Sequence, residues 1–165
     1  MTEPFNLDNI PGMAGIIAAT RDIYRGPQRS FQVLSRAEVR NPFAFEPHIL
    51  ISIHGSDQND APVCRNEHCR EVLHICFDDI RYDMTGCERF HQRHAKQIVE
   101  FVEAHPDTLI VVQCQAGISR SAAVAAELSL WLNGEEHDGG WFTRHFAPNP
   151  WVRQELRIYI NRRRP

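Results

Sequence analysis

Three strand candidates constrain this chain more than anything else in it: the continuous apolar, β-branched run "HILISI" (48–53), then "EVLHICF" (71–77) and the buried run "TLIVVQ" (108–113). Continuous apolar runs suit strands covered on both faces, as in parallel sheets with helices above and below. The intervening sequence agrees. A polar loop rich in Gly, Asp, Asn and Pro (55–67) follows the first run. After the second, Thr85 and Glu88 form a candidate capping box for a helix over 87–104, in which Phe90, His94, Ile98, Phe101 and Val102 share a face. An Ala-rich helix over 118–133, ended by Gly134, follows the third. Strands alternating with helices predict an α/β fold, a central, mainly parallel sheet flanked by helices.

The flanks are shorter. "FQVL" (31–34) predicts a strand, and Ser35 with Glu38 a capping box for a short helix, "SRAEVR". Asn149 and Pro150 predict the N-cap and first position of a last helix. Residues 1–29 resist assignment beyond a short packed segment, "GIIAA" (15–19), and a turn at 25–29. They are read as an N-terminal extension and 30–165 as one domain, a size that suits one core.

Composition narrows the classes. With 42% apolar and 24% charged residues the chain reads as globular, and a net charge of −3 gives no general reason to bind nucleic acid or anionic membrane. No apolar run reaches the ~20 residues of a membrane span. The opening "MTEPFNLDNIPGMAG" lacks the basic region of a secretion signal. The five cysteines are an odd number, unlike a disulfide framework, so a cytoplasmic setting is expected. "CRNEHC" (64–69) has loose spacing and no second ligand pair, so it reads as a loop with two free thiols rather than a metal site.

The third run ends at Cys114, and Arg120 opens the helix after it. Backbone amides from Gln115, Ala116, Gly117, Ile118, Ser119 and Arg120 can wrap a tetrahedral anion if Gly117 supplies the unusual backbone conformation. A helix N-terminus and a guanidinium fork complete such a cradle, and the same field favours a cysteine's thiolate. No Gly-Lys-Ser/Thr follows the spacing of a nucleotide-triphosphate loop.

"CQAGISRSAAV" resembles the signature loop of the cysteine-dependent protein tyrosine phosphatase superfamily, most closely its small (atypical) dual-specificity subgroup. The likeness spans most of 48–160 and includes "IVVQC" and "APNPWVRQEL", similar to the subgroup's C-terminal Pro-Asn segment. The resemblance implies a phosphatase-like fold and a hydrolase that needs no metal or other cofactor. It implies Cys114 as the nucleophile that forms a phosphocysteine, Arg120 as the ligand of phosphate and transition state, and Ser121 as the hydrogen-bond partner of the sulfur. A leaving oxygen also needs a proton. Asp78, Asp79 and Asp83 are the candidates; the subgroup's apolar-x-apolar-x-Asp pattern falls on Ile75, Phe77 and Asp79, which is preferred, with Asp78 second.

Gln113 stands where the family usually has His. The neutral loop side chains Gln115, Ala116 and Ile118 do not favour polyanions, so the expected partner is a phosphorylated protein bearing phosphotyrosine, with phosphoserine or phosphothreonine also accommodated. Two other readings stand beside the enzyme: a weakly active or inactive phosphoresidue-binding module of the same fold, and a thiol redox protein or arsenate reductase.

Overall fold

The computed structural model describes residues 23–134 and 140–165. Among them, five strands form one sheet: β1 (Ile23–Arg25), β2 (Ser30–Ser35), β3 (His48–His54), β4 (Cys69–Cys76) and β5 (Leu109–Cys114), in the order β1-β2-β5-β3-β4. Only β1 runs antiparallel to its neighbour; the other pairings are parallel. The helices are α1 (Gln92–Glu103), α2 (Arg120–Asn133), α3 (Gly140–His145) and α4 (Pro150–Arg163). The chain thus has the mainly parallel α/β architecture its strand runs predict.

β5 lies at the centre and every one of its residues is buried. Its side chains alternate between two apolar layers. Ile110, Val112 and Cys114 face the layer built with the helices, alongside Ile49, Ile51, Ile53, Ile75 and Phe77. Leu109 and Val111 face a smaller layer with Leu34, Leu50, Val39 and Phe43. Each fully buried aliphatic or Phe side chain contributes about 1.5–3 kcal/mol, so the sheet needs both layers. α2 packs in the larger one, its alanines Ala122, Ala123, Ala125 and Ala126 all fully buried, and small side chains let it approach β2 and β5 closely.

Four features depart from the sequence reading. β4 is an edge strand in which only Ile75 is buried; its exposed Arg70, Glu71 and His74 are polar, as an edge requires. Ser35 and Glu38 do make reciprocal bonds (Ser35 N to Glu38 Oε2, 2.6 Å; Glu38 N to Ser35 Oγ, 3.3 Å), but they brace a 3-10 turn, Glu38–Arg40, rather than a helix. α1 starts at Gln92 and not at 87, because the Glu88 amide is taken by Asp78 Oδ2 at 2.6 Å. Its cap is instead His91, whose amide donates to His94 Nδ1 at 2.9 Å. Residues 23–29, read with the extension, carry β1, and the Gln28 and Arg29 amides donate to Asn133 Oδ1 at 3.0 and 2.7 Å. The "GIIAA" segment lies outside the described residues.

Candidate active site

β5 delivers Cys114 to the carboxyl end of the central strand, and α2 begins at Arg120. The connecting loop turns at Gly117, whose φ of 67° is left-handed. A Cβ at Gly117 would lie 2.6 Å from Ser35 N and 2.7 Å from Leu34 C, so the loop seats directly on the backbone at the end of β2. Glycine is required there twice over, by conformation and by space. Arg36 N donates to Gln115 O at 3.2 Å and locks the same seam. Among the described residues no protein group accepts from the amides of residues 115–120.

The candidate residues cluster. Cys114 is 2% exposed, and its sulfur lies 3.0 Å from Ser121 Oγ in the first turn of α2. The Arg120 guanidinium is buried; Nη1 donates to Phe77 O at 3.0 Å, while Nε is buried with no acceptor in the protein. An unsatisfied donor on a buried cation is costly unless a ligand oxygen accepts from it. Ser119 Oγ donates to Asp79 Oδ1 at 2.8 Å, which links the loop to the carboxylate three residues past the end of β4. Ile118 is 48% exposed on the rim, and the Gln115 carbonyl oxygen Oε1 accepts from Gln58 Nε2 at 2.9 Å.

The three acidic candidates separate sharply. Asp78 accepts from Ser56 N (2.9 Å), Ser56 Oγ (2.7 Å) and Glu88 N (2.6 Å). Partial burial works to raise its pKa, but those bonds and the nearby Arg120 outweigh it and hold the carboxyl below the usual range. Asp83 pairs with Arg89 Nε at 3.2 Å. Asp79 alone reaches the loop. Its Oδ1 accepts from Ser119 Oγ and from Asn149 Nδ2 at 2.7 Å; its Oδ2 has no protein partner among the described residues.

Two contributors were not legible as site residues. Asn149, 4% exposed, caps α4 through Oδ1 (from Trp151 N, 2.9 Å, and Val152 N, 3.2 Å), sends its own amide to Ser119 O at 3.2 Å, and holds Asp79. Gly55 leaves room for Asp78: a Cβ there would be 2.8 Å from Asp78 Oδ1 and 3.6 Å from Arg120 Nη1. Gln113 faces away from the thiol, on the other side of β5. Its Oε1 accepts from Ser52 Oγ at 2.7 Å, and its Nε2 is buried without a partner. No group of three or more metal-ligating side chains converges among the described residues.

No family model matches the chain. No curated protein matches it either. Solved structures do. The crystal structure of a mouse putative dual specificity phosphatase complexed with zinc tungstate aligns with a TM-score of 0.56 at 17% identity, covering 98% of this chain and 92% of that one. DUSP15 aligns with a TM-score of 0.52 at 18% identity, covering 84% and 86%. At these identities the likeness is one of fold: the chain has the mainly parallel α/β fold of the dual-specificity group of cysteine-dependent phosphatases.

Proposed function

We propose that this chain hydrolyses phosphotyrosine on proteins, with phosphoserine and phosphothreonine as further substrates, through a phosphocysteine intermediate. The observation that carries this reading is the convergence on one loop of a buried sulfur (Cys114), an incompletely satisfied buried guanidinium (Arg120), six amides without protein acceptors and a carboxylate (Asp79) tethered by one oxygen. The phosphate dianion takes the amides of residues 115–120 and Arg120. The Cys114 thiolate attacks phosphorus in line; the P–O bond breaks, and the leaving oxygen takes the proton on Asp79. Donors aimed at the equatorial oxygens gain strength as charge builds on them.

The second half uses the same groups. Asp79, now ionised, takes a proton from water as the water attacks phosphorus. The S–P bond breaks, and the departing sulfur accepts a hydrogen bond from Ser121, whose oxygen stands 3.0 Å away. Asp79 suits both halves because Oδ1 is anchored while Oδ2 is left to carry the moving proton. Asp78 does not, since three donors stabilise its ionised form.

The test is hydrolysis of an aryl phosphate and of a phosphotyrosine peptide by the unaltered protein, Cys114→Ser and Asp79→Asn. Turnover that survives Cys114→Ser rejects the nucleophile. A protein that binds the phosphopeptide but releases no phosphate is the binding module instead. The feature that favours that alternative is Gln113, which is turned toward Ser52 and carries no charge to the thiol.

A further inference from the structure

α2 and α4 lie side by side and leave a trough away from the cradle. Part of it is a cavity of ≈ 350 Å³ with an apolar floor of Leu130, Trp131 and Ile160 and with Arg153, Arg157 and Arg164 along its walls. A neighbouring cavity of ≈ 220 Å³ shares Trp131, Ile160 and Arg164 with it, so the trough extends beyond the first cavity. Beneath the arginines lies Glu127, only 2% exposed. Its carboxylate accepts from Arg153 Nε at 2.6 Å and from Arg157 Nε and Nη2 at 3.0 and 2.7 Å.

A buried carboxylate costs several kcal/mol unless paired, so Glu127 must hold both guanidiniums, and in doing so it fixes their direction. Among the described residues that line the cavity, three guanidiniums stand with one carboxylate, on a chain whose net charge is −3. The Arg164 guanidinium and the terminal nitrogens of Arg153 have no protein acceptor among the described residues. A merely solvated helix face needs neither a buried anchor for its cations nor an indole in its floor.

The position of the trough relates it to the cradle. Glu127 is seven residues beyond Arg120 in α2, about 10 Å along the axis. Arg153 is one turn beyond Asn149, the residue that holds Asp79. An extended peptide covers about 3.3 Å per residue, so a chain with its phosphoresidue in the cradle reaches the trough in about three.

We propose that the trough docks an acidic segment of a partner protein, with apolar residues set on Trp131 and Ile160 and carboxylates on Arg153 and Arg164. Its use in choosing substrates rests on the phosphatase reading above; the docking itself does not. Arg164 lies fifteen residues past Asn149, about 22 Å along α4, so on that reading the favoured substrates carry Asp or Glu about three to seven positions from the phosphoresidue.

The test is fluorescence anisotropy of a labelled, unphosphorylated peptide of alternating Asp/Glu and Leu, titrated with Cys114→Ser protein in low salt. Saturable binding is expected, lost for the Asn/Gln version of the peptide and weakened at least about fivefold by Arg164→Glu. Unchanged aryl phosphate turnover and thermal melt in Arg164→Glu on the otherwise unaltered chain show that the variant is folded. With phosphotyrosine peptides, the acidic sequence is expected to lower KM without changing kcat, and Arg164→Glu to remove the difference. No binding of the acidic peptide, binding indifferent to Arg164→Glu, or binding only to phosphatidylserine vesicles overturns the proposal. Peptide binding by a protein inert toward aryl phosphate leaves the docking surface standing and removes the phosphatase reading alone.

Discussion

His94 should make this fold acid-sensitive well above the carboxylate range. The ring is 4% exposed, sandwiched against Phe77 (centroids 5.6 Å apart) and Phe90 (5.5 Å). Burial first, and then the neighbouring Arg93 and His91 charges, push its pKa down from 6.5 to about 4, against the opposing pull of Glu88 and a bond to the Cys76 carbonyl. Its Nδ1 already accepts from the His91 amide at 2.9 Å, which commits the ring to its neutral form. A histidine with a depressed folded pKa contributes stability that is complete above the unfolded pKa and is lost as pH falls toward the folded one. With 6.5 for the unfolded chain and about 4 for the folded, the loss between pH 7.5 and pH 5 is about 2 kcal/mol. Asp78 does not act in that window, because a depressed carboxylate loses its contribution only below about 4. His48, also held low by burial, does act there. The measurement is therefore a difference: urea unfolding at both pH values for the unaltered protein and for His94→Gln. Glutamine suits the third position of a helix capped in this way. The pH-dependent loss should shrink by about 2 kcal/mol in the variant. An equal loss in both proteins refutes the assignment.

Three further outcomes follow from the site. Asp79→Asn should lower kcat by about 10²- to 10⁴-fold on a phosphate ester with a poor leaving group and much less on an activated aryl ester; equal effects on both would remove its role as acid. Asn149→Ser keeps an α4 cap, for which a serine costs little, but takes away the amide donor at 2.7 Å from Asp79. It should lower kcat with little change in melting, and a kcat equal to that of the unaltered protein would make Asn149 a cap only. Gly117→Ala meets both a left-handed φ of 67° and backbone atoms 2.6–2.9 Å away. It should cost at least about 1–2 kcal/mol in unfolding and weaken inhibition by a tetrahedral oxyanion such as vanadate, and unchanged inhibition would show that the cradle does not depend on the turn.

How much was legible depended on whether a partner was near in sequence. β3 and β5 were readable because burial on both faces leaves an uninterrupted apolar run. β1 was not, since three residues on an antiparallel edge carry no pattern of their own. Thr85 and Glu88 matched a capping box, yet the tertiary bond from the Glu88 amide to Asp78 prevails over the local signal. Asn149 was legible as a cap because the amides that donate to its Oδ1 lie two and three residues on, whereas its grip on Asp79 joins residues 70 apart. Glu127 lies mid-helix in an Ala-rich run, and nothing local announces that Arg153 and Arg157, 26 and 30 residues away, will neutralise it.

The sorting of neighbours at the site follows from one rule applied on two strands. Successive residues of a strand point to opposite faces. On β5 this sends Cys114 to the helix side and Gln113 to the other, where Ser52 receives it. Past the end of β4 the same parity continues: Asp79 falls with Ile75 and Phe77 on the helix side and meets Ser119 and Asn149, while Asp78 turns to Ser56. The residue assigned chemistry and the residue assigned support are thus fixed by register and not by residue type. It follows that Asp78 cannot replace Asp79 without moving its backbone to the opposite face. Activity left in Asp79→Asn should therefore be unchanged by the further substitution Asp78→Asn, apart from a loss of stability measured separately. A second, large fall in kcat with intact folding would show that the two aspartates exchange roles and that strand parity does not govern the site.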